Sequence, residues 1–210
     1  MIDRRILMAA SAVLWSSVAW GQAAPVELPP PPAAPGPVTV RVELTTSLGL
    51  VAIAVETERA PITAANFLRY VRDKRLDGTS FYRALSFPGA PGLGLIQGGV
   101  RGDPKRSLKP IAHEPTSRTG ILHTDGTVSM ARAAPGTATG DFFIILGPIP
   151  SLDAQAGGDP GFAAFGHVVE GMDVVRRILA APVSATAGEG AIKGQMLVAP
   201  VKIVTARRAG

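Results

Sequence analysis

One arginine stands inside an otherwise apolar, strand-like run, Phe81-Tyr82-Arg83-Ala84-Leu85. Burying a guanidinium is costly unless a partner meets it. After a Pro/Gly-rich excursion the chain returns as Leu95-Ile96-Gln97-Gly98-Gly99, a second strand-like run with a single amide. It ends in two glycines, where a backbone bends tightly or is closely approached. Two readings stand at this point. Arg83 is an edge-strand residue with its head group in water, or it is held on an apolar floor, oriented by Gln97 and aimed at a ligand. The second would use the guanidinium as a fixed planar fork of hydrogen-bond donors, which a flexible ammonium could not replace.

The remaining polar groups on apolar runs are equally isolated. Ala131 and Ala133 flank Arg132, and Asp141 precedes Phe142 and Phe143. Small residues leave space for a ligand and aromatics floor it, so this composition suits a pocket for an extended apolar peptide segment. Several other chemistries are excluded. Gly92-Leu-Gly94 begins a dinucleotide-type pattern, but Gln97 stands where its third glycine is required. There is no phosphate-binding Gly-Lys-Ser/Thr. His113, His123 and His167 lack metal-ligand spacing and read as turn or strand histidines. His123 and Asp125 could join a serine in a hydrolytic triad, yet no nucleophile elbow accompanies them. No carboxylate pair stands out for acid–base work, and no metal or cofactor is implied.

The elements that must position these groups read mainly as strands. Val38 to Leu44 alternates with period two, Ser47-Leu48-Gly49 supplies a turn, and Leu50 to Val55 returns as the second arm of a hairpin. From Pro61 to about Arg72, Ala64, Phe67, Leu68 and Val71 form one helical stripe, with Pro61 suited to the first turn. Gly102 to Pro115 reads as a solvated polar loop. Further strands are expected at Gly126 to Ala133, Asp141 to Leu146, Phe162 to Val169, and Gln195 to Thr205, the last interrupted by Pro200. A second helix places Met172, Val175, Ile178 and Leu179 inward. Seven or eight mostly antiparallel strands and two helices predict a mainly β fold, a barrel capped at its ends so that no edge is exposed.

The chain has 210 residues, 46% hydrophobic and 18% charged, with 24 Gly and 19 Pro, which favours a turn-rich β protein over a helical bundle. No cysteine is present, so disulfides, thiol chemistry and Cys-based zinc sites are excluded. The net charge of +5 is spread along the chain and argues against a nucleic-acid partner. Residues 1–23 read as a signal peptide: basic Arg4 and Arg5, an apolar stretch from Ile6 to Trp20, and small residues at Gly21-Gln22-Ala23. That predicts export, most simply to a periplasm, with no membrane span after processing. Residues 24–37 form a Pro-rich tether without a core of its own, and residues 38–207 form the folded domain.

The words Phe-Tyr-Arg, Gln-Gly-Gly, Val-Ser-Met-Ala-Arg-Ala, Phe-Phe-Ile, Ala-Phe-Gly and Val-Val-Glu-Gly-Met, in this order, resemble the cyclophilin-type peptidyl-prolyl cis-trans isomerases across about Val38 to Ala206. The resemblance implies a closed eight-stranded antiparallel β-barrel capped by two α-helices, working as a monomer on proline-containing segments of folding proteins. It places Arg83 at the family's catalytic arginine and Gln97 at the glutamine that orients it. Ala131, Arg132 and Ala133 fall on the groove-lining strand, Phe143 on the floor of the proline pocket, Leu152 on its wall, and Phe162 where His or Tyr is usual. Some positions depart from the family. The segment between Arg83 and Gln97 is longer, so that Gly94 and Leu95 replace a Phe-Met pair by register. Asp141 replaces a common Gln, Ser151 a Trp and Arg132 an Asn. Asp141 is expected near Arg83 or Arg132, ionised by the adjacent guanidinium. The resemblance implies an enzyme; a non-catalytic module or chaperone that merely holds proline segments in the same groove is the alternative.

Overall fold

A computed structural model describes Gly36 and residues 38–210. The expected signal peptide lies outside the described residues, as does the tether apart from Gly36. The strands are β1 (Thr39–Thr46), β2 (Gly49–Glu56), β3 (Ser80–Ser86), β4 (Gly94–Gly99), β5 (Thr127–Met130), β6 (Phe142–Leu146), β7 (Ala163–Glu170), β8 (Val183–Ser184) and β9 (Met196–Arg208). They hydrogen-bond in the order β1-β2-β7-β5-β6-β4-β3-β9-β8, and β1 also pairs with β9. Every pairing is antiparallel. Eight strands therefore close into a barrel, with the two-residue β8 appended to β9 outside the ring. Closure removes the open sheet edge, and the expected fold is the observed one.

Period-two alternation works on both faces of the barrel. The five residues of β6 are all buried, but in opposite directions. Phe142, Ile144 and Leu146 point into the barrel core, whereas Phe143 and Ile145 belong to a separate apolar cluster on the outer face. Inside, Phe142 meets Phe67 edge-on at 5.4 Å and Phe81 at 5.7 Å. Phe67 comes from helix α1 (Pro61–Arg72), which lays Ala64, Phe67, Tyr70 and Val71 against the barrel while Leu68 is only half-buried. Helix α3 (Met172–Leu179) buries Val174, Val175, Ile178 and Leu179, with Met172 packed at the edge of the same core.

Two local differences from the sequence reading have clear causes. The strand containing Pro200 is not broken. Between Phe81/Val201 and Arg83/Met196 the β3–β9 register shifts, so the proline sits in a bulge where no ladder N–H is required. The segment before Pro115 is not wholly solvated either. Glu114 is fully buried, and its carboxylate accepts hydrogen bonds from the Thr63 backbone N–H and hydroxyl, both at 2.7 Å. Thr63 lies in the first turn of α1, so a distant glutamate caps amide groups the helix leaves unpaired. A one-turn helix α2 (Thr116–Thr119) follows it.

Candidate functional site

A groove of about 470 Å³ runs over the outer faces of β3, β4 and β6 and the segment after β5. It brings Arg83, Leu95, Gln97, Ala131, Arg132, Ala133, Asp141, Phe143, Leu152 and Phe162 to one place, so all ten residues named from sequence line it. The apolar part is built from Leu95, Phe143, Ile145 and Ile149, with Leu152 and Phe162 packed against them. Phe162 meets Phe143 edge-on at 5.4 Å.

Arg83 owes its position to a β-bulge. In the β3–β4 ladder Phe81 opposes Gly98 and Arg83 opposes Gln97, leaving Tyr82 as the extra residue. Strict alternation would put Phe81 and Arg83 on the same face; the bulge sends Phe81 into the core and Arg83 to the groove. Gly98 permits the close pairing, since a Cβ there would lie 2.8 Å from the Phe81 ring and 2.9 Å from the Ser80 carbonyl oxygen.

Two glutamines then clamp the guanidinium. Arg83 Nη1 donates to Gln97 Oε1 at 2.6 Å and Nε donates to Gln195 Oε1 at 2.8 Å. Neither bond uses Nη2. Burial lowers the Arg83 pKa, yet a guanidinium remains charged at any working pH. The half-buried cation is thus held by neutral acceptors, with donor capacity left toward the groove.

The sequence missed Gln195, a lone amide in a Gly/Ala-rich stretch. It also missed Phe87, which the long excursion after β3 folds back onto the groove beside Leu85 and Leu93. Gly94 cannot replace a pocket side chain, because a Cβ there would lie 2.0 Å from the Leu85 carbonyl oxygen. Leu95 and Phe87 supply the apolar surface instead.

One expectation needs correction. Asp141 lines the groove but pairs with neither Arg83 nor Arg132. Its Oδ1 accepts the Arg101 backbone N–H at 2.7 Å and the Tyr82 hydroxyl at 3.2 Å. Burial raises its pKa against the opposing effect of those bonds, the reverse of what an adjacent guanidinium would do. Burial, reinforced by the Asp141 charge, also raises the Tyr82 pKa. Arg132 lines the groove as expected, with its guanidinium tied to the neighbouring loop. It donates from Nε and Nη2 to the Gly161 carbonyl, pairs with Asp159 at 3.1 Å and lies 4.6 Å over the Phe162 ring. It fastens the Asp153–Gly161 loop and braces Phe162 from behind.

Behind Phe143 lies a sealed polar support. His123 stacks on the Phe143 ring at 6.0 Å; its Nδ1 lies 2.7 Å from Asp153 Oδ1 and its Nε2 2.9 Å from Ser129 Oγ. The carboxylate requires the proton on Nδ1, so Nε2 accepts from the Ser129 hydroxyl. Asp125 does not join this set; it accepts the Gly147 N–H and faces Arg176. His123 and Ser129 are both buried, so the arrangement supports the pocket floor and offers no open nucleophile. Burial lowers the His123 pKa although Asp153 opposes it. The unfolded chain therefore binds the proton first, near pH 6.5, and stability falls as pH drops below that value. Each such histidine contributes a slope of at most about 1.4 kcal/mol per pH unit. Half-buried His167 also has its pKa lowered, chiefly by desolvation, so His123→Gln is expected to remove only part of the slope in denaturant unfolding between pH 7.5 and 5.5. An unchanged slope would show that His123 is not charged in the unfolding step.

Among the described residues, no group of three or more His, Asp or Glu side chains could hold a metal ion, and no helix is long and apolar enough to cross a membrane.

Comparison with known proteins agrees with this geometry. Residues 41–208 match the family model described as cyclophilin type peptidyl-prolyl cis-trans isomerase/CLD. A peptidyl-prolyl cis-trans isomerase of Acinetobacter baylyi is 36% identical over 168 residues, covering 78% of this chain and 82% of that protein. Peptidyl-prolyl cis-trans isomerase A of Dickeya dadantii is 35% identical, covering 70% and 75%. A Cryptosporidium parvum cyclophilin-type isomerase, solved in the presence of the dipeptide Ala-Pro, shares the fold. Its TM-score is 0.65 at 20% identity, covering 81% of this chain and 99% of that one. With an apolar pocket beside a clamped arginine and a family match across nearly the whole described domain, the chain belongs to the cyclophilin-type peptidyl-prolyl cis-trans isomerases, enzymes that interconvert the cis and trans forms of Xaa-Pro bonds.

Proposed function

We propose that this isomerase acts on exported proteins as they fold, with Arg83 as the catalytic group. The observation that carries the mechanism is the clamp: Arg83 is fixed by Gln97 and Gln195 at the rim of an apolar floor, through Nη1 and Nε and not through Nη2. Resonance gives the peptide C–N bond its rotational barrier of ~18–20 kcal/mol. At Xaa-Pro bonds the two planar states are nearly balanced, yet they exchange over tens of seconds or longer. A catalyst therefore needs neither nucleophile nor proton acceptor, only a preference for the twisted state.

Phe143, Leu95, Leu152 and Phe162 hold the proline ring, and Phe87 extends that surface. Ala131 and Ala133 leave room for the backbone on either side. Arg132 and Asp141 form the polar rims. Arg83 then donates toward the prolyl nitrogen, whose lone pair is free only when resonance is broken. The working unit proposed is a monomer. A protease-coupled assay on prolyl peptides tests the catalytic reading. Binding without any acceleration of exchange would identify a holding module instead.

Export rests on Arg4, Arg5, the Ile6 to Trp20 run and the small residues at Gly21-Gln22-Ala23. N-terminal sequencing of protein isolated from the producing cell is expected to begin near Ala24, in an extracytoplasmic fraction. An intact Met1 on cytoplasmic protein would refute that placement.

A further inference from the structure

The two glutamines that clamp Arg83 must both present oxygen, because an amide turned the other way would set N–H against N–H. Gln195 has its orientation fixed by the backbone: Nε2 donates to the Ala191 carbonyl at 2.8 Å, which leaves Oε1 for Arg83. Gln97 has no such direct anchor. Its Nε2 donates to the Tyr82 hydroxyl at 2.8 Å, and a hydroxyl can accept or donate. Taken alone, the Tyr82–Gln97 contact would tolerate either orientation of the amide.

Asp141 removes that freedom. Its Oδ1 receives the Arg101 backbone N–H at 2.7 Å, a donor that cannot reverse, and as a carboxylate oxygen it has no proton to give, so Oδ1 acts only as an acceptor. The Tyr82 hydroxyl, 3.2 Å away, must then donate to Oδ1 and can only accept from Gln97. The amide nitrogen is thereby held at Tyr82 and the amide oxygen at Arg83 Nη1, 2.6 Å away. Arg101 adopts φ +51°, a left-handed backbone unusual for a residue with a side chain. The conformation presents its N–H to Asp141, and the anchor is therefore local strain held in place by the fold.

We propose that Asp141 is a positioning residue that acts through Tyr82 to fix which end of the Gln97 amide faces Arg83. The proposal rests on the catalytic reading of Arg83 and explains an aspartate on the groove rim that touches neither groove arginine. Only the acceptor at Oδ1 is required, so the role does not depend on the carboxylate's charge.

The test measures catalysed exchange and peptide affinity separately, by NMR line shapes and titration on the full chain. Asp141→Leu and Tyr82→Phe are each expected to slow exchange about tenfold, the scale of losing one hydrogen bond to a charged group. Affinity for a prolyl peptide is expected to stay within about twofold, because the apolar floor is untouched. The double variant loses no more than either single one, since both cut the same relay. Asp141→Asn keeps an acceptor at Oδ1 and restores the rate. Full rate in Tyr82→Phe, additive losses in the double variant, or affinity falling in step with rate would each overturn the relay. If Asp141→Leu does not fold, Tyr82→Phe decides alone, because it leaves the Arg101 anchor intact. Wild-type protein without isomerase activity would overturn the role of Arg83 and the relay together. An active wild type with an unaffected Tyr82→Phe would overturn the relay only.

Discussion

Arg83→Ala is expected to slow catalysed exchange by about hundredfold or more while leaving peptide affinity nearly unchanged. The rate loss corresponds to about 2.7 kcal/mol of transition-state stabilisation. The asymmetry follows from what the guanidinium faces in each state. A planar amide keeps its nitrogen lone pair in resonance and gives Arg83 a poor acceptor; a twisted one exposes that lone pair to a donor already in place. The preorganisation is already visible without a ligand. Gln97 and Gln195 hold two of the three guanidinium nitrogens, so little side-chain reorganisation remains for the reaction itself. Arg83→Lys is expected to recover little, because one ammonium cannot satisfy both glutamines and still reach the substrate from the same place. Equal losses of rate and affinity in Arg83→Ala would mean that the residue anchors the ground state, and the mechanism would need another group.

The parts of this site that could be read in the sequence are those whose residue type alone carries the information. Arg83 within an apolar run, the Gln-Gly-Gly word and the Phe pair each say something without knowledge of register. The alternation of β6 likewise predicts one face inward and one outward, and the barrel then fixes what each face meets. What escaped depends on distances across the chain. The bulge at Tyr82 is a two-against-one pairing between β3 and β4, and nothing in Phe81-Tyr82-Arg83 marks it. Gln195 reaches Arg83 across 112 positions from the start of the expected last strand, where nothing local assigns it a partner. Phe87 lies on an excursion whose length gives no hint that it folds back onto the floor. Asp141 was placed beside the right elements but given the wrong partners. A carboxylate near two arginines invites an ion pair, whereas here the Arg101 backbone and the Tyr82 hydroxyl reach it first. Glu114 belongs to a segment that reads as a solvated loop, and its partner Thr63 lies 51 positions earlier.

Phe142→Ala and Phe143→Ala are expected to fail in different ways although the residues are adjacent. Phe142 is wholly inside the barrel, in edge contact with Phe67 and Phe81. Truncating it leaves a closed cavity among three elements that cannot all collapse. The cost is about 3–5 kcal/mol, a large share of the 5–15 kcal/mol roughly typical of a folded domain. The denaturant midpoint is expected to drop sharply, and whatever folded protein remains is expected to bind peptide normally. Phe143 is almost as buried but lies on the other face, between His123 and Phe162. Its removal opens the floor into the groove, where water can enter, so no sealed void adds to the loss. Stability is expected to fall less than in Phe142→Ala. Affinity and catalysed rate fall together, by roughly tenfold or more, because burial of the proline ring against an aromatic surface contributes about 1.5–3 kcal/mol. Unfolding midpoints and peptide titrations on both variants separate the two outcomes. Peptide affinity unchanged in folded Phe143→Ala would remove Phe143 from the proline pocket. A Phe142→Ala protein as stable as wild type would mean that the barrel core repacks around the missing ring.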